Sequence, residues 1–141
     1  MVCPNFIIKD LIMNEIPERL KYTKTHEWVS LTQDEIIVGI TAHAQQLLGD
    51  MVFVELPQVG DRFEAGDEIA VVESVKAASD VYAPISGEVL AVNQEINEDP
   101  AIVNRDPYGS GWLLKLKATH DNDFNNLLSA SDYEKEIAED H

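Results

Sequence analysis

The chain has 141 residues, the size of one compact domain and short for an enzyme that closes a cleft between two domains. Ten Lys and Arg stand against 26 Asp and Glu, a formal net charge of -16, so a nucleic-acid backbone or an anionic membrane surface would repel it. That acidity serves either solubility or steering toward basic docking surfaces.

Residues 1–18 break their apolar positions with Lys9, Asp10, Asn14 and Glu15, too often for a signal-peptide core and too acidically for a typical transit peptide. They are expected to form a flexible N-terminal extension ahead of a single domain over 19–141. The one cysteine, Cys3, allows no disulfide within the chain and no cysteine-built metal centre, and a reducing compartment fits. No apolar run approaches a membrane span.

From Glu27 onward, short β segments alternate with Gly, Pro and Asp: EWVSL, EIIVGI, DMVFVEL, DEIAVVES, SDVYA, GEVLAVN and WLLKLK. In the last, Trp112, Leu114 and Leu116 alternate with Lys115 and Lys117, which predicts an apolar row on one face. Between the second and third, TAHAQQLLG predicts a short helix with Ile40, Ala44, Leu47 and Leu48 on one side and Gly49 as its stop. Near the C-terminus, Phe124, Leu127 and Leu128 precede Ser131 and Glu134 in capping-box spacing, with Tyr133 and Ile137 a turn apart, which predicts two short helices. VGDRFEAGDEIAVVE and SGEVLAVNQEINEDPAIVN echo each other, each setting a glycine turn before a strand and ending on another apolar strand. Two sheets packed face to face would bury the apolar rows of both halves.

Between Arg62 and Arg105 the only basic residue is Lys76, in ESVKAASD between two predicted strands. Most turn lysines are simply solvated. Here Ser74, Ala77, Ala78 and Ser79 are small enough to leave the ammonium accessible on a narrow hairpin that an enzyme could enclose, and Gly66, Pro84 and Gly87 would sharpen flanking turns. Catalytic patterns are missing: His26, His43, His120 and His141 show no paired metal spacing, HEW is not HExxH, and no serine sits in GxSxG. No catalytic residue and no metal site is expected, and carboxylates are too numerous for any pair to be diagnostic.

Four segments, KYTKTHEWV, VGITAHAQQLLGDMVFVELPQVGD, ESVKAASDVYAPISGEVLAVN and NRDPYGSGWLLKLK, follow one another at spacings that resemble the glycine cleavage system H protein over residues 19–139. The resemblance implies a mainly β, barrel-sandwich hybrid fold of lipoyl/biotinyl-carrier type, with two antiparallel sheets, a short internal helix and C-terminal helices. It implies a non-catalytic carrier with lipoate in amide linkage on Lys76. Such a carrier takes an aminomethyl group from the pyridoxal-phosphate-dependent glycine decarboxylase (P protein) to the tetrahydrofolate-dependent aminomethyltransferase (T protein). Dihydrolipoyl dehydrogenase (L protein) then reoxidises it, and lipoate-attaching enzymes are further partners. A monomer is implied, in the bacterial cytoplasm or, in a eukaryote, the mitochondrial matrix.

By the same resemblance the loaded arm rests in a cleft at Thr25, Glu27 and Asp80, Thr25 standing where the family also uses serine. Glu73 and Gly60 match positions that lipoate-attaching enzymes recognise, although Gly60 reads equally well as a turn glycine. A biotin carrier resembles MKM at its lysine where this chain has VKA, and lipoyl domains of oxoacid dehydrogenases lack the HEW and DPYGSGW flanks. An H-like lipoyl-relay protein of lipoate metabolism stays open as the alternative. About fifteen residues precede the family-like region.

Overall fold

The computed structural model describes residues 16–32, 35–119 and 127–139. The alternating segments become strands β1 (Lys21–Tyr22), β2 (Glu27–Thr32), β3 (Glu35–Ile40), β4 (Met51–Glu55), β5 (Arg62–Phe63), β6 (Glu68–Ser74), β7 (Ala78–Tyr82), β8 (Gly87–Val92) and β9 (Leu114–Ala118). Helix α1 (Ala42–Leu48) follows β3, α2 (Gln94–Glu98) and α3 (Ala101–Arg105) lie between β8 and β9, and α4 (Ala130–Glu139) comes last.

All pairings are antiparallel, in a six-stranded sheet ordered β1-β2-β3-β9-β8-β5 and a three-stranded sheet ordered β4-β6-β7. Strand alternation sends one side of each sheet inward, so Val29, Val38, Val89, Leu114 and Leu116 face Val54, Val72 and Val81 across a shared buried core. The result is a sandwich of two sheets, not a closed barrel. A second cluster of Leu20, Tyr22, Trp28, Ala130 and Tyr133 fixes α4 to β1 and β2. No helix among the described residues is long and apolar enough to cross a membrane.

Within the first of the two echoing segments, VGDRFEAGDEIAVVE, the structure forms a pair of matched turns. Gly60 and Gly66 both have positive φ (97° and 93°), which glycine adopts without a Cβ penalty. In each turn the following aspartate, Asp61 or Asp67, accepts the N–H of the residue three positions before it, Gln58 or Glu64. Gly60 N–H then donates to Val89 O and Gly66 N–H to Ala83 O, each at 2.8 Å.

Four expectations need correction. Trp112 precedes β9 and belongs to the second cluster, so the buried row of that strand is Leu114 and Leu116 alone. AIVN is not a strand: Pro100 takes helical φ and Arg105 pairs with Asp99 at 2.8 Å, closing one helical turn that buries Val103. On α1 the face turned inward is Ala42, Ala44 and Gln45, because Asn104 Nδ2 donates to the Gln45 side chain, and Leu47 is left 55% exposed. Of the two C-terminal helices, Phe124 lies outside the described residues, while Leu128 is extended and exchanges both backbone hydrogen bonds with Tyr22. Only α4 is helical among the described residues there, and its cap is Ser129, whose Oγ accepts the Asp132 N–H, not Ser131.

Leu116 is fully buried between Ile36 and Val89 in neighbouring strands. Leu116→Ala should therefore cost about 2–5 kcal/mol of unfolding free energy, read as a lower urea midpoint at unchanged m-value.

Candidate functional site

The hairpin between β6 and β7 pairs Glu73 with Ala78, and Ser74 builds its turn. Ser74 N–H donates to Ala77 O at 2.8 Å, while Ser74 Oγ accepts the N–H groups of Lys76 and Ala77, both at 3.1 Å. A serine that satisfies the turn's own backbone leaves the tip free of outside support on its solvent side, and Val75, Lys76 and Ala77 are all exposed there. Lys76 forms no ion pair among the described residues. An exposed, uncommitted ammonium on an ordered turn is what amide attachment of an acyl group needs.

Further down β7, the chain lines a cavity of about 100 Å³ with Thr25, Glu27 and Asp80 on its polar side and Ile40, Ala44 and Leu48 on its apolar side. Thr25, Glu27 and Asp80 thus meet, although the first two come from the entry to β2 and the third from β7. Asp80 follows Lys76 by four positions, through the hairpin turn and the start of β7, so the two Cα atoms stand at most about 14 Å apart, within reach of a long acyl-lysine arm.

Glu27 lines this cavity and is only 1% exposed. Its Oε1 accepts the hydroxyls of Thr23 and Thr25, its Oε2 accepts Tyr82 N–H at 3.2 Å, and its own N–H donates to Thr23 Oγ1. Burial pushes the Glu27 carboxyl above its ordinary value of 4.5, and the hydrogen bonds from Thr23, Thr25 and Tyr82 offset this only in part. The bond to Tyr82 also has a structural purpose. Strand β7 is an edge of the three-stranded sheet, and Tyr82 N–H is an edge donor that the carboxyl satisfies.

His26, between Thr25 and Glu27, has φ of 74°, the one positive value off glycine among the described residues. Its ring Nδ1 lies 2.8 Å from the Tyr133 hydroxyl, and the same hydroxyl meets Thr41 Oγ1 at 2.8 Å. Tyr133 is fully buried and stacks on Tyr22 at 4.8 Å. The left-handed residue is therefore over-determined by α4, as such strained positions require. Sequence reasoning treated His26 as ordinary and missed Thr23, Tyr82 and Tyr133. No strand periodicity could have found Thr23, because residues 23–26 form a turn, where alternate positions share no face.

Glu73 is exposed on the hairpin, three residues before Lys76 and opposite Phe53 of β4. Gly60 is not brought near the hairpin: β4 runs away from the tip, from Met51 beside Ser74 to Glu55 beside Val71, and Gly60 follows it into a turn on β8. No group of three or more His, Cys, Asp or Glu fit to hold a metal occurs among the described residues.

A two-sheet sandwich that presents one lysine on an exposed hairpin, with a half-polar cleft beside the same strand, defines a carrier-type domain. The Glycine cleavage H-protein family profile matches residues 20–140. A glycine cleavage system H protein from Legionella pneumophila (strain Corby) is 60% identical over 122 residues, covering 86% of this chain and 98% of that protein. One from Pseudoalteromonas translucida is 57% identical over 129 residues, covering 91% and 100%. A crystal structure of a glycine cleavage system H protein from Mycobacterium marinum superposes with a TM-score of 0.80 at 41% identity, over 87% of this chain and 99% of that one. The chain belongs to the glycine cleavage H-protein family.

Because burial raises the Glu27 value, the folded state holds that proton after the unfolded chain has released it, and stability falls as pH rises from 4.5 through the folded value. Glu27→Gln should remove this fall. Urea unfolding from about pH 4 to about pH 7 should show the free-energy difference moving in favour of the variant as pH rises; parallel profiles would count against a raised Glu27.

Proposed function

We propose that the chain is the lipoyl-bearing shuttle of the glycine cleavage system, with lipoate attached through an amide to Lys76. It carries an aminomethyl group from the P protein to the T protein, is reoxidised by the L protein, and is loaded with lipoate by attaching enzymes. It works as a monomer in the bacterial cytoplasm and has no catalytic residue of its own. The observation that carries this reading is the cleft lined by Thr25, Glu27 and Asp80 beside the strand that follows an exposed lysine with no ion pair among the described residues.

The lipoyl group supplies the reactive sulfurs, since a ring disulfide held far from the preferred dihedral of about 90° opens more readily than an open-chain one. The protein supplies tether, shelter and charge. Lys76 fixes the arm at one end, which converts each docked transfer into an encounter at high effective concentration. Ile40, Ala44 and Leu48 offer the methylenes an apolar wall and keep water from the labile carbon–sulfur bond. Asp80, exposed at the rim, meets the ammonium of the cargo first. Glu27 receives it at depth, where an arriving cation lowers the carboxyl's value and favours the ionised form. Thr25 keeps the Glu27 oxygen oriented, a role its additional methyl does not disturb because its side chain reaches the cavity from an exposed turn. Glu73, on the hairpin surface, is placed to be read by a lipoate-attaching enzyme; Gly60 would contribute only through the turn it forms.

The direct test is intact mass with peptide mapping after expression in a lipoate-supplied host, then reconstitution with the three partner enzymes. Wild type should gain a lipoyl mass on Lys76 and support glycine-dependent carbon dioxide release. Lys76→Arg should lose both while staying within about 0.5 kcal/mol of wild-type stability, as an exposed substitution should. Lipoylation of Lys76 without glycine cleavage would instead assign the chain to lipoyl relay. In the loaded protein, Asp80→Asn removes a charge-assisted contact to the cargo and should shorten the aminomethyl lifetime about tenfold, measured as formaldehyde release.

A further inference from the structure

We infer that Asn104 is a positioning residue for Lys76, holding the turn on which the lysine hairpin rests so that the attaching enzyme meets the ammonium in one orientation. This rests on the reading of Lys76 as the attachment site. The hairpin tip lies over the turn Gly49–Asp50–Met51 between α1 and β4. Val75 N–H donates to Asp50 O at 3.0 Å. The Lys76 stem crosses Gly49 so closely that a Cβ built there would stand 3.4 Å from Lys76 Cε and 3.7 Å from its Cδ.

From within, the turn has the Gly49 N–H bond to Gln45 O at 2.9 Å, and Met51 pairs with Ser74. Gly49 has no side chain and a φ of 85°, and Asp50 is exposed. Its side-chain hold comes from α3, 53 residues beyond Met51 in sequence. Asn104 Nδ2 donates to Gly49 O at 2.9 Å and to Gln45 Oε1 at 3.0 Å, and Asn104 Oδ1 accepts Met51 N–H at 2.8 Å. One carboxamide therefore grips both ends of the turn and the last turn of α1. Only a side chain with paired donors and an acceptor on one planar head can make this set, and flipping the amide would set donor against donor and acceptor against acceptor. If the clamp is lost, the tip samples other orientations. An enzyme that accepts one of them then sees its apparent affinity reduced by the competent fraction, with its turnover unchanged once bound.

Asn93 provides a matched control. Its Nδ2 donates to Ser110 O and Trp112 O and its Oδ1 accepts Glu95 N–H, again three bonds from one carboxamide, but none touches the hairpin or its supporting turn. The experiment uses full-length apo-protein with a lipoate–protein ligase and lipoate, together with amide exchange at Val75. Asn104→Ala should raise KM for the apo-protein about fivefold with kcat unchanged and speed Val75 exchange. Asn93→Ala should match wild type in both readouts whatever stability it loses. Where Asn104→Ala does not fold, Asn104→Asp carries the comparison, because it keeps the acceptor for Met51 N–H and loses only the donors. Asn104 variants with wild-type KM and Val75 exchange, or an Asn93→Ala variant with an equal rise in KM, would overturn the inference while leaving the attachment site in place. Wild-type protein that gains no lipoyl mass on Lys76 would instead remove the attachment reading on which the inference stands.

Discussion

The open edge of β7 is the constraint on which the arrangement turns. A three-stranded sheet ordered β4-β6-β7 leaves β7 with no neighbouring strand on its outer side among the described residues. A neighbouring strand laid there would close the sandwich and fill the space where the cleft lies. Instead Glu27, at the start of β2 in the other sheet, reaches across and takes Tyr82 N–H with one carboxyl oxygen. The contact adds one side-chain hydrogen bond to the core packing that joins the two sheets and does not extend the strand ladder. What remains between the entry to β2, α1 and the upper part of β7 is a cavity with a buried carboxyl at its base.

Putting a carboxyl there has consequences for everything around it. A buried acid must be hydrogen-bonded or neutralised, and Thr23 and Thr25 supply the bonds from one turn. That turn is tight enough to force His26 into the left-handed region, which costs a residue with a Cβ of order 1 kcal/mol. The strain is held by bonds from elsewhere: Thr41 N–H donates to His26 O at 3.0 Å, and Tyr133 on α4 meets both the His26 ring and the Thr41 hydroxyl. The C-terminal helix, which contributes nothing to the wall of the cleft, is therefore part of what keeps the cleft in shape.

The sandwich was legible in the sequence because its strands alternate cleanly and glycine-aspartate turns separate them; β3 and β6 fall within a residue of where the pattern places them. The site was legible only in part. Lys76 stands out by charge isolation and by small neighbours, both local properties. Asp80 and Glu27 lie 53 positions apart, and in a chain with 26 acidic residues no spacing rule joins them; the family resemblance named them, and the cavity supplied the reason. The misreadings have a shared cause. Leu47, Trp112 and AIVN were assigned by apolar periodicity, which is blind to a polar side chain that sets an element's rotation from a distance. Gln45 faces inward because Asn104 reaches it, and no pattern within TAHAQQLLG records that.

The raised value of Glu27 also bears on how a carrier could hold cargo without holding an empty arm. A carboxyl ionised under all conditions would draw any cation into the cleft and would carry its full desolvation cost at rest. A carboxyl pushed upward by burial pays less of that cost near its own titration range, since part of the population is neutral. On the proposed function, an arm ending in sulfur alone brings no charge to stabilise the ionised form, and nothing but the apolar wall retains it. On the same proposal, an arm ending in an amine brings that charge, favours the ionised form of Glu27 and gains Asp80 as a second partner. Retention, on that proposal, depends on the cargo itself, and because both carboxylates line one cavity of about 100 Å³, drawing the amine out would remove both contacts together.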